Sequence, residues 1–384
     1  MVETWELRDR FARALAATYG REVPAYGVLV EVADAVNADF AARTPADAER
    51  FGGLSRVAAE RRGAIRLAGP AELRQAAILF AGFGMHPVGC YDRRDASTPA
   101  PVVATTFRPV DPMELARNPF GMFASMLVTA DRRFFGADLQ RRVENLLAAR
   151  TVFSTELLHL AALAAEEGGL TAPSAERFVA LAATVFDPQQ SAADRSWHVR
   201  LRQASPVAAA IGGRTGVPVV HLAPRVFDLD DLCARSAERG LATIDGAACP
   251  PARRRLDVLV RHASFHALAD PDRIVVAESR GVALTPEGRE LFDRPADADA
   301  ADAEREFPRT DAELEARGFA YFTHRRVGGE RVREPIVYED YLPVGGGGPD
   351  HHLRWLAETL GRPVTNPFTL YRRQQDATRE RTAS

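Results

Sequence analysis

Lysine is missing from this chain: all 49 basic residues are arginine. A Schiff-base enzyme of the pyridoxal phosphate or aldolase type needs a lysine amine, so that class is excluded. A Walker A phosphate loop is excluded too, because its lysine reaches the phosphates. Arginine replaces neither, since it stays protonated. Cysteine is scarce. Cys90, Cys233 and Cys249 are scattered with no CxxC, so neither a disulfide framework nor a thiolate metal site is expected. No run of about 18 apolar residues occurs, and the N-terminus is charged and amphipathic rather than signal-like. The expectation is a cytoplasmic protein with no membrane partner. Net charge is -3, with no basic excess to attract nucleic acid.

What is present is ordinary for a globular chain: 384 residues, 46% hydrophobic and 26% charged. Helices are predicted over 5–19, 26–42, 47–61 and 70–83, then strands over 87–91 and 102–107 split by a loop. Residues 111–185 read as mostly helical, with one amphipathic stretch over 136–165. Strands follow at 217–226, 274–277, 321–326 and 337–344, and a helix at 351–360. Residues 293–306 are acidic and Ala-rich and read as a solvated excursion. A helix followed by a hairpin suits a mixed sheet rather than strict βα alternation. The predicted class is α+β, a mixed sheet surrounded by a helical layer. A single compact domain is expected over 1–384: a helical part to residue 50, a core over 51–370 and a basic tail over 371–384.

Residues 217–231 carry the clearest chemical signal. A β-branched run bears His221, turns at Ala-Pro-Arg and feeds a helix near Asp230 through Asp228 and Asp231. An imidazole held at a strand end either ligates a metal or bonds to a carbonyl. Glu278 also ends an apolar strand. A carboxylate there needs a cation, a proton or a donor, so it is either a metal ligand or one half of an ion pair with Arg280 or Arg66. Arg66, after Gly-Ala-Ile, either grips an anionic substrate through its fork or makes a surface pair. The run Gly345–Gly348 lets backbone approach a ligand, or is simply a flexible loop. His262 and His266 are read as one face of a solvated helix. His351 and His352 are adjacent, so they chelate poorly.

Several stretches together resemble the 2-oxoadipate dioxygenase/decarboxylase family, also called 2-hydroxyglutarate synthases. They are Arg62-Gly-Ala-Ile-Arg66, Phe83-Gly-Met-His-Pro-Val-Gly89 with Tyr91-Asp92, Thr106-Phe-Arg-Pro109, Arg117-Asn-Pro-Phe120, His221-Leu-Ala-Pro-Arg-Val226 with Asp228, Glu278-Ser-Arg-Gly281 with Ala283-Leu-Thr-Pro286, and Tyr338-Glu-Asp-Tyr-Leu-Pro-Val344. The resemblance implies a fold related to the vicinal-oxygen-chelate fold. It also implies a non-haem Fe(II) enzyme that decarboxylates a 2-oxoacid with O2, giving 2-hydroxyglutarate from 2-oxoadipate. Two histidines and a carboxylate hold the iron in such enzymes. By resemblance His221 and Glu278 are catalytic metal ligands, Arg66 clamps a substrate carboxylate, and Val344 and Gly345 line the pocket. The family's first histidine ligand stands where this chain has Arg62, and a guanidinium has no free lone pair. His86 is then the best substitute. The alternative is a metal-free or altered-metal relative that binds or transforms a different carboxylate, with Arg62 and Arg66 as paired anion clamps.

Overall fold

The computed structural model describes residues 1–59, 61–95, 99–186, 195–212, 216, 217, 219–244, 262–267, 270–293, 307, 308, 310–327, 330–337 and 350–383. The chain divides into two compact units, each drawn from three separate segments. The first comprises Met1–Pro24, Arg61–Leu222 and Gly348–Thr365; the second comprises Ala25–Glu60, Ala223–Gly347 and Asn366–Ser384. Strands are numbered in chain order: β1 Val2–Glu3, β2 Arg61–Leu67, β3 His86–Asp92, β4 Val102–Arg108, β5 Gly121–Leu127, β6 Gly169–Leu170, β7 Val219–Val226, β8 His262–Ala267, β9 Asp270–Ser279, β10 Phe322–Val327 and β11 Glu330–Pro335. The class is α+β with mixed pairing, as expected. Among the described residues no helix is long and apolar enough to cross a membrane.

In the first unit the strand order is β3-β4-β5-β2. β3–β4 and β4–β5 run antiparallel, while β5–β2 is parallel. β4, VVATTFR, is β-branched and aromatic and is buried at every position, as a central strand should be. Helix Pro70–Ala81 starts on a proline, which suits the first turn because that position needs no N–H donor. An aromatic stack cements this side. Phe83 lies 4.5 Å from both Phe11 and Phe178, and Phe80 lies 4.9 Å from Phe107. Arg8, fully buried in helix Thr4–Glu22, donates to the carbonyls of Phe83 (2.7 Å), Glu114 (2.9 Å) and Asn118 (3.1 Å). It pairs with the Glu114 carboxylate at 3.3 Å, yet burial still lowers its pKa to about 10.

In the second unit β7 pairs in parallel with β9, and β9 antiparallel with β8. Asn37, in helix Pro24–Arg43, closes off the end of β7. Its Nδ2 donates to the Arg225 carbonyl and its Oδ1 accepts from the Phe227 N–H, both at 2.9 Å. Asp228 then caps helix Leu229–Glu238 by accepting from the Asp231 N–H, and Asp230 and Asp231 fill the first turn. Acidic groups there meet the positive end of the helix dipole. The core is a cluster that includes Phe51, Val57, Val282, Leu284, Phe307, Leu314 and Phe322.

Four expectations are corrected. Residues 121–127 are a strand, not part of a helical stretch. The 136–165 segment is two helices, Ala137–Ala148 and Thr155–Glu167, the second capped by Ser154. Likewise 47–61 breaks into Pro45–Arg50 and Gly53–Ala59, because Gly52 and Gly53 take positive φ. His262 and His266 lie on strand β8, so four residues separate them by about 13 Å and they form no helical chelate. The stretches 294–306 and 338–349 lie outside the described residues.

Candidate functional site

Strand register decides which side chains share a face. Arg62 pairs with Gly121, Ala64 with Phe123 and Arg66 with Ser125 across β2–β5. Phe123 pairs in turn with Thr106, and Ser125 with Ala104, across β5–β4. The next pair of that ladder is Gly121 with Arg108; a Cβ built on Gly121 would lie 3.6 Å from the Arg108 Cβ. One face therefore carries Arg62, Arg66, Arg108, Thr106, Ser125 and Phe123. The opposite face carries Ile65, Met122, Ala124 and Phe107, which turn into the core. Tyr91 pairs with Ala104 past a register shift in β3, and its ring lies 5.8 Å from that of Phe123. It belongs to the polar face. Gly89 sits at the shift with φ +72°, and any Cβ there would lie 2.5 Å from the Tyr91 hydroxyl oxygen.

His221 joins this face by alternation. A Cβ on Gly63 would lie 3.5 Å from Leu222 Cδ1 and 2.6 Å from Met122 Sδ. Leu222 is therefore on the core side, and its neighbour His221 points the other way, half-buried. The same contacts explain the glycine of the Gly-Ala-Ile-Arg run: there is no room for a side chain between β5 and β7.

The burial of this face is unusual for its chemistry. Arg62 is 5% exposed and Arg108 2%, and Thr106 is fully buried. Arg66 is half-buried. The Thr106 hydroxyl has no hydrogen-bond partner among the described residues. The Arg108 Nε donates to its neighbour Pro109 at 3.3 Å, and the Ser125 hydroxyl to the Ile65 carbonyl at 3.3 Å. Buried guanidinium charge is costly in an apolar setting unless anions or acceptors meet it.

In the second unit Glu278 is also buried. Its Oε2 lies 3.1 Å from Nη2 of Arg225, its cross-strand partner, with side chains 6% and 0% exposed. Arg225 also donates to the Ser279 carbonyl at 2.9 Å. Arg280 or Arg66 was anticipated as an ion-pair partner for Glu278; the strand register supplies Arg225.

Among the described residues no group of three His, Cys, Asp or Glu gathers to hold a metal. His86 does not fill the gap left at Arg62. It lies on the edge strand, three strand spacings or about 14 Å from β2, and parallel side chains do not converge over that span. Its imidazole is held below its ordinary range by partial desolvation and by the charges of Arg362 and Arg8, a setting that repels a metal cation. Cys90 is a free thiol pushed up to about 12 by burial, so it is no thiolate ligand. Cys233 is disulfide-bonded, contrary to the reading of the spacing. His351 and His352 meet edge to face at 4.2 Å on the helix surface. Val344 and Gly345 lie outside the described residues.

The sequence matches the family model for 2-oxoadipate dioxygenase/decarboxylase over residues 11–348. The chain belongs to this family. A Mycobacterium tuberculosis 2-oxoadipate dioxygenase/decarboxylase is 46% identical, over 96% of both chains. Among solved structures, a Shigella flexneri protein superposes with a TM-score of 0.89 at 30% identity, covering 99% of each chain. The hydroxyglutarate synthase of Pseudomonas putida, solved in complex with 2-oxoadipate, superposes with a TM-score of 0.87 at 30% identity, over 100% of this chain and 98% of that one.

Against this family background the shared motifs separate into two kinds. Arg117-Asn-Pro-Phe120 is scaffolding: the Asn118 side chain accepts from the Phe120 N–H and donates to Asp9, and Arg8 binds its carbonyl. Arg62–Arg66 and Thr106–Pro109 instead put polar groups on one sheet face. Sequence reading gave roles to Arg66 and His221, quoted Thr106 and Arg225 within motifs without a role, and passed over Ser125. Alternation along β4 was the available signal for Thr106. For Arg225 there was none, because parallel register between distant strands leaves no local mark.

Proposed function

We propose that this chain is an enzyme of the 2-oxoadipate dioxygenase/decarboxylase type acting on a 2-oxoacid with a second carboxylate, as 2-oxoadipate has. The products are CO2 and a 2-hydroxyacid one carbon shorter, with O2 as co-substrate. The observation that carries this reading is the placement of Arg66 on the same sheet face as His221, Thr106 and Arg108. Arg66 binds the carboxylate remote from the reacting carbons; a bidentate guanidinium fixes both position and rotation. Phe123 and Tyr91 give that part of the face an apolar wall that excludes water. Val344 and Gly345 remain proposed lining residues. A cytoplasmic setting is part of the same proposal.

Fe(II) is the ion that the family's O2 chemistry calls for, and His221 and Glu278 are the proposed catalytic residues matching its ligands. The donor set of this chain does not fit a site of two histidines and a carboxylate. Arg62 offers no lone pair, and Glu278 is already engaged by Arg225 at 3.1 Å. No step is therefore derived through the metal. The same two observations favour, as a second reading, a relative that holds its carboxylate substrate without iron.

The test is turnover. Purified protein is incubated in air with 2-oxoadipate, with and without added Fe(II), and 2-hydroxyglutarate is followed by mass spectrometry with O2 uptake in parallel. Product formation with stoichiometric O2 uptake bears out the first reading. Absence of product in every condition, from protein that binds the 2-oxoacid, transfers the case to the second.

A further inference from the structure

Glu278, the proposed catalytic carboxylate, is held within the second unit by an anchored cation. In the pairing of β7, β9 and β8 it stands between Arg225 and His262. Residues paired in this way share one face of a sheet. Burial rises along that row: His262 is exposed, the Glu278 side chain is 6% exposed and the Arg225 side chain is fully buried. Charge therefore meets the carboxylate from the closed side, where Glu278 Oε2 lies 3.1 Å from Arg225 Nη2. Arg225 is fixed at both ends. Its Nη1 donates to the Ser279 carbonyl at 2.9 Å, and its own carbonyl accepts from Asn37 Nδ2 at 2.9 Å. The next pair in register, Val226 with Ser279, and the Arg280 N–H donating to the Val226 carbonyl at 3.3 Å keep the two strands from slipping under the ion pair. Stability alone does not account for such a pair. Desolvation offsets the attraction of buried charges, so an apolar pair of similar volume often serves the fold as well. Its neighbours along the two strands, Ala223, Val226, Val276 and Ala277, are apolar and buried, so an apolar pair would suit this place.

We propose that Arg225 is a positioning residue: its guanidinium holds the Glu278 carboxylate in one orientation for the reaction and touches no substrate itself. A carboxylate against a mobile cation samples several rotamers; one against an anchored guanidinium keeps one. Misplacing a reacting group costs rate more than it costs binding. Loss of Arg225 therefore falls on kcat rather than on KM. This inference rests on the reading of Glu278 as a catalytic residue in 2-oxoacid turnover.

Steady-state turnover of 2-oxoadipate by the full chain tests it, in air with added Fe(II), with the folded fraction measured by near-UV circular dichroism. Arg225→Gln should lower kcat by about 10–100-fold, the range typical for partners that orient an active-site group, with KM little changed. Arg225→Lys keeps the charge and should recover part of the loss; an ammonium lacks the fork that spans Glu278 and the Ser279 carbonyl. A merely structural pair predicts less folded protein with kcat per folded chain unchanged. That result overturns the positioning role and leaves the turnover reading standing. Wild-type protein without turnover in any condition overturns both. Where Arg225→Gln does not fold, wild-type crystals grown with and without 2-oxoadipate decide. Glu278 Oε2 at ion-pair distance from Arg225 in both supports the role, and a carboxylate that leaves Arg225 when the ligand is present overturns it.

Discussion

At the scale of single residues, what matters is which charge stands where. Arg62 occupies a position at which the resembled family has a histidine, and it is buried on a face it shares with Arg66 and Arg108. Replacing it by histidine restores a lone pair and removes a fixed charge. We expect Arg62→His to raise iron retained after loading and desalting from well below one equivalent towards one per chain, read by metal analysis; unchanged iron content would count against an Arg62-blocked ligand position. A second prediction concerns Asp92. Burial pushes its carboxyl up, but the hydrogen bonds and charge of Arg94 outweigh this and leave it below the ordinary value of 3.8. A depressed acid adds stability above its unfolded value and loses it as pH falls through the folded value. The urea stability of wild type over Asp92→Asn should therefore be about 1 kcal/mol at pH 7, discounted for partial exposure, and fade towards pH 3. A difference that grows on acidification would contradict the pairing.

At the scale of elements, strands are positioned by contacts that small residues permit. Gly63→Ala places a methyl on Met122 and should cost about 1–3 kcal/mol in denaturant midpoint analysis; a neutral substitution would mean the β2–β5 spacing is looser than described. Asn37→Ala leaves the Arg225 carbonyl and the Phe227 N–H without their partner and should cost about 2–4 kcal/mol. Much at this scale was legible in the chain. Helices Thr4–Glu22 and Pro24–Arg43 announce themselves by periodicity, β4 by its β-branched run, and helix Leu229–Glu238 by its acidic start. β5 was missed because GMFASML is apolar at nearly every position, and a short all-buried run has no period to separate strand from helix. β8 was missed because two histidines four apart suggest a helix face as readily as one side of a strand.

At the scale of the whole molecule, class and family were readable from ordered motifs, while the site was readable only in part. Strand alternation puts Arg66 and His221 on one sheet face. Glu278 has an ion-pair partner, Arg225, that was not anticipated, since pairing between β7 and β9 joins residues more than fifty positions apart. The division into two units, each built from three segments, left no linker composition to detect. In the proposed function the β2–β5–β4 face seats the substrate. A crystal structure of the protein soaked with 2-oxoadipate measures this most directly. The prediction is one carboxylate within hydrogen-bond distance of Arg66, with the rest of the ligand lying over the face that carries Thr106 and His221. A ligand seated away from this face, or held there without contact to Arg66, would contradict it.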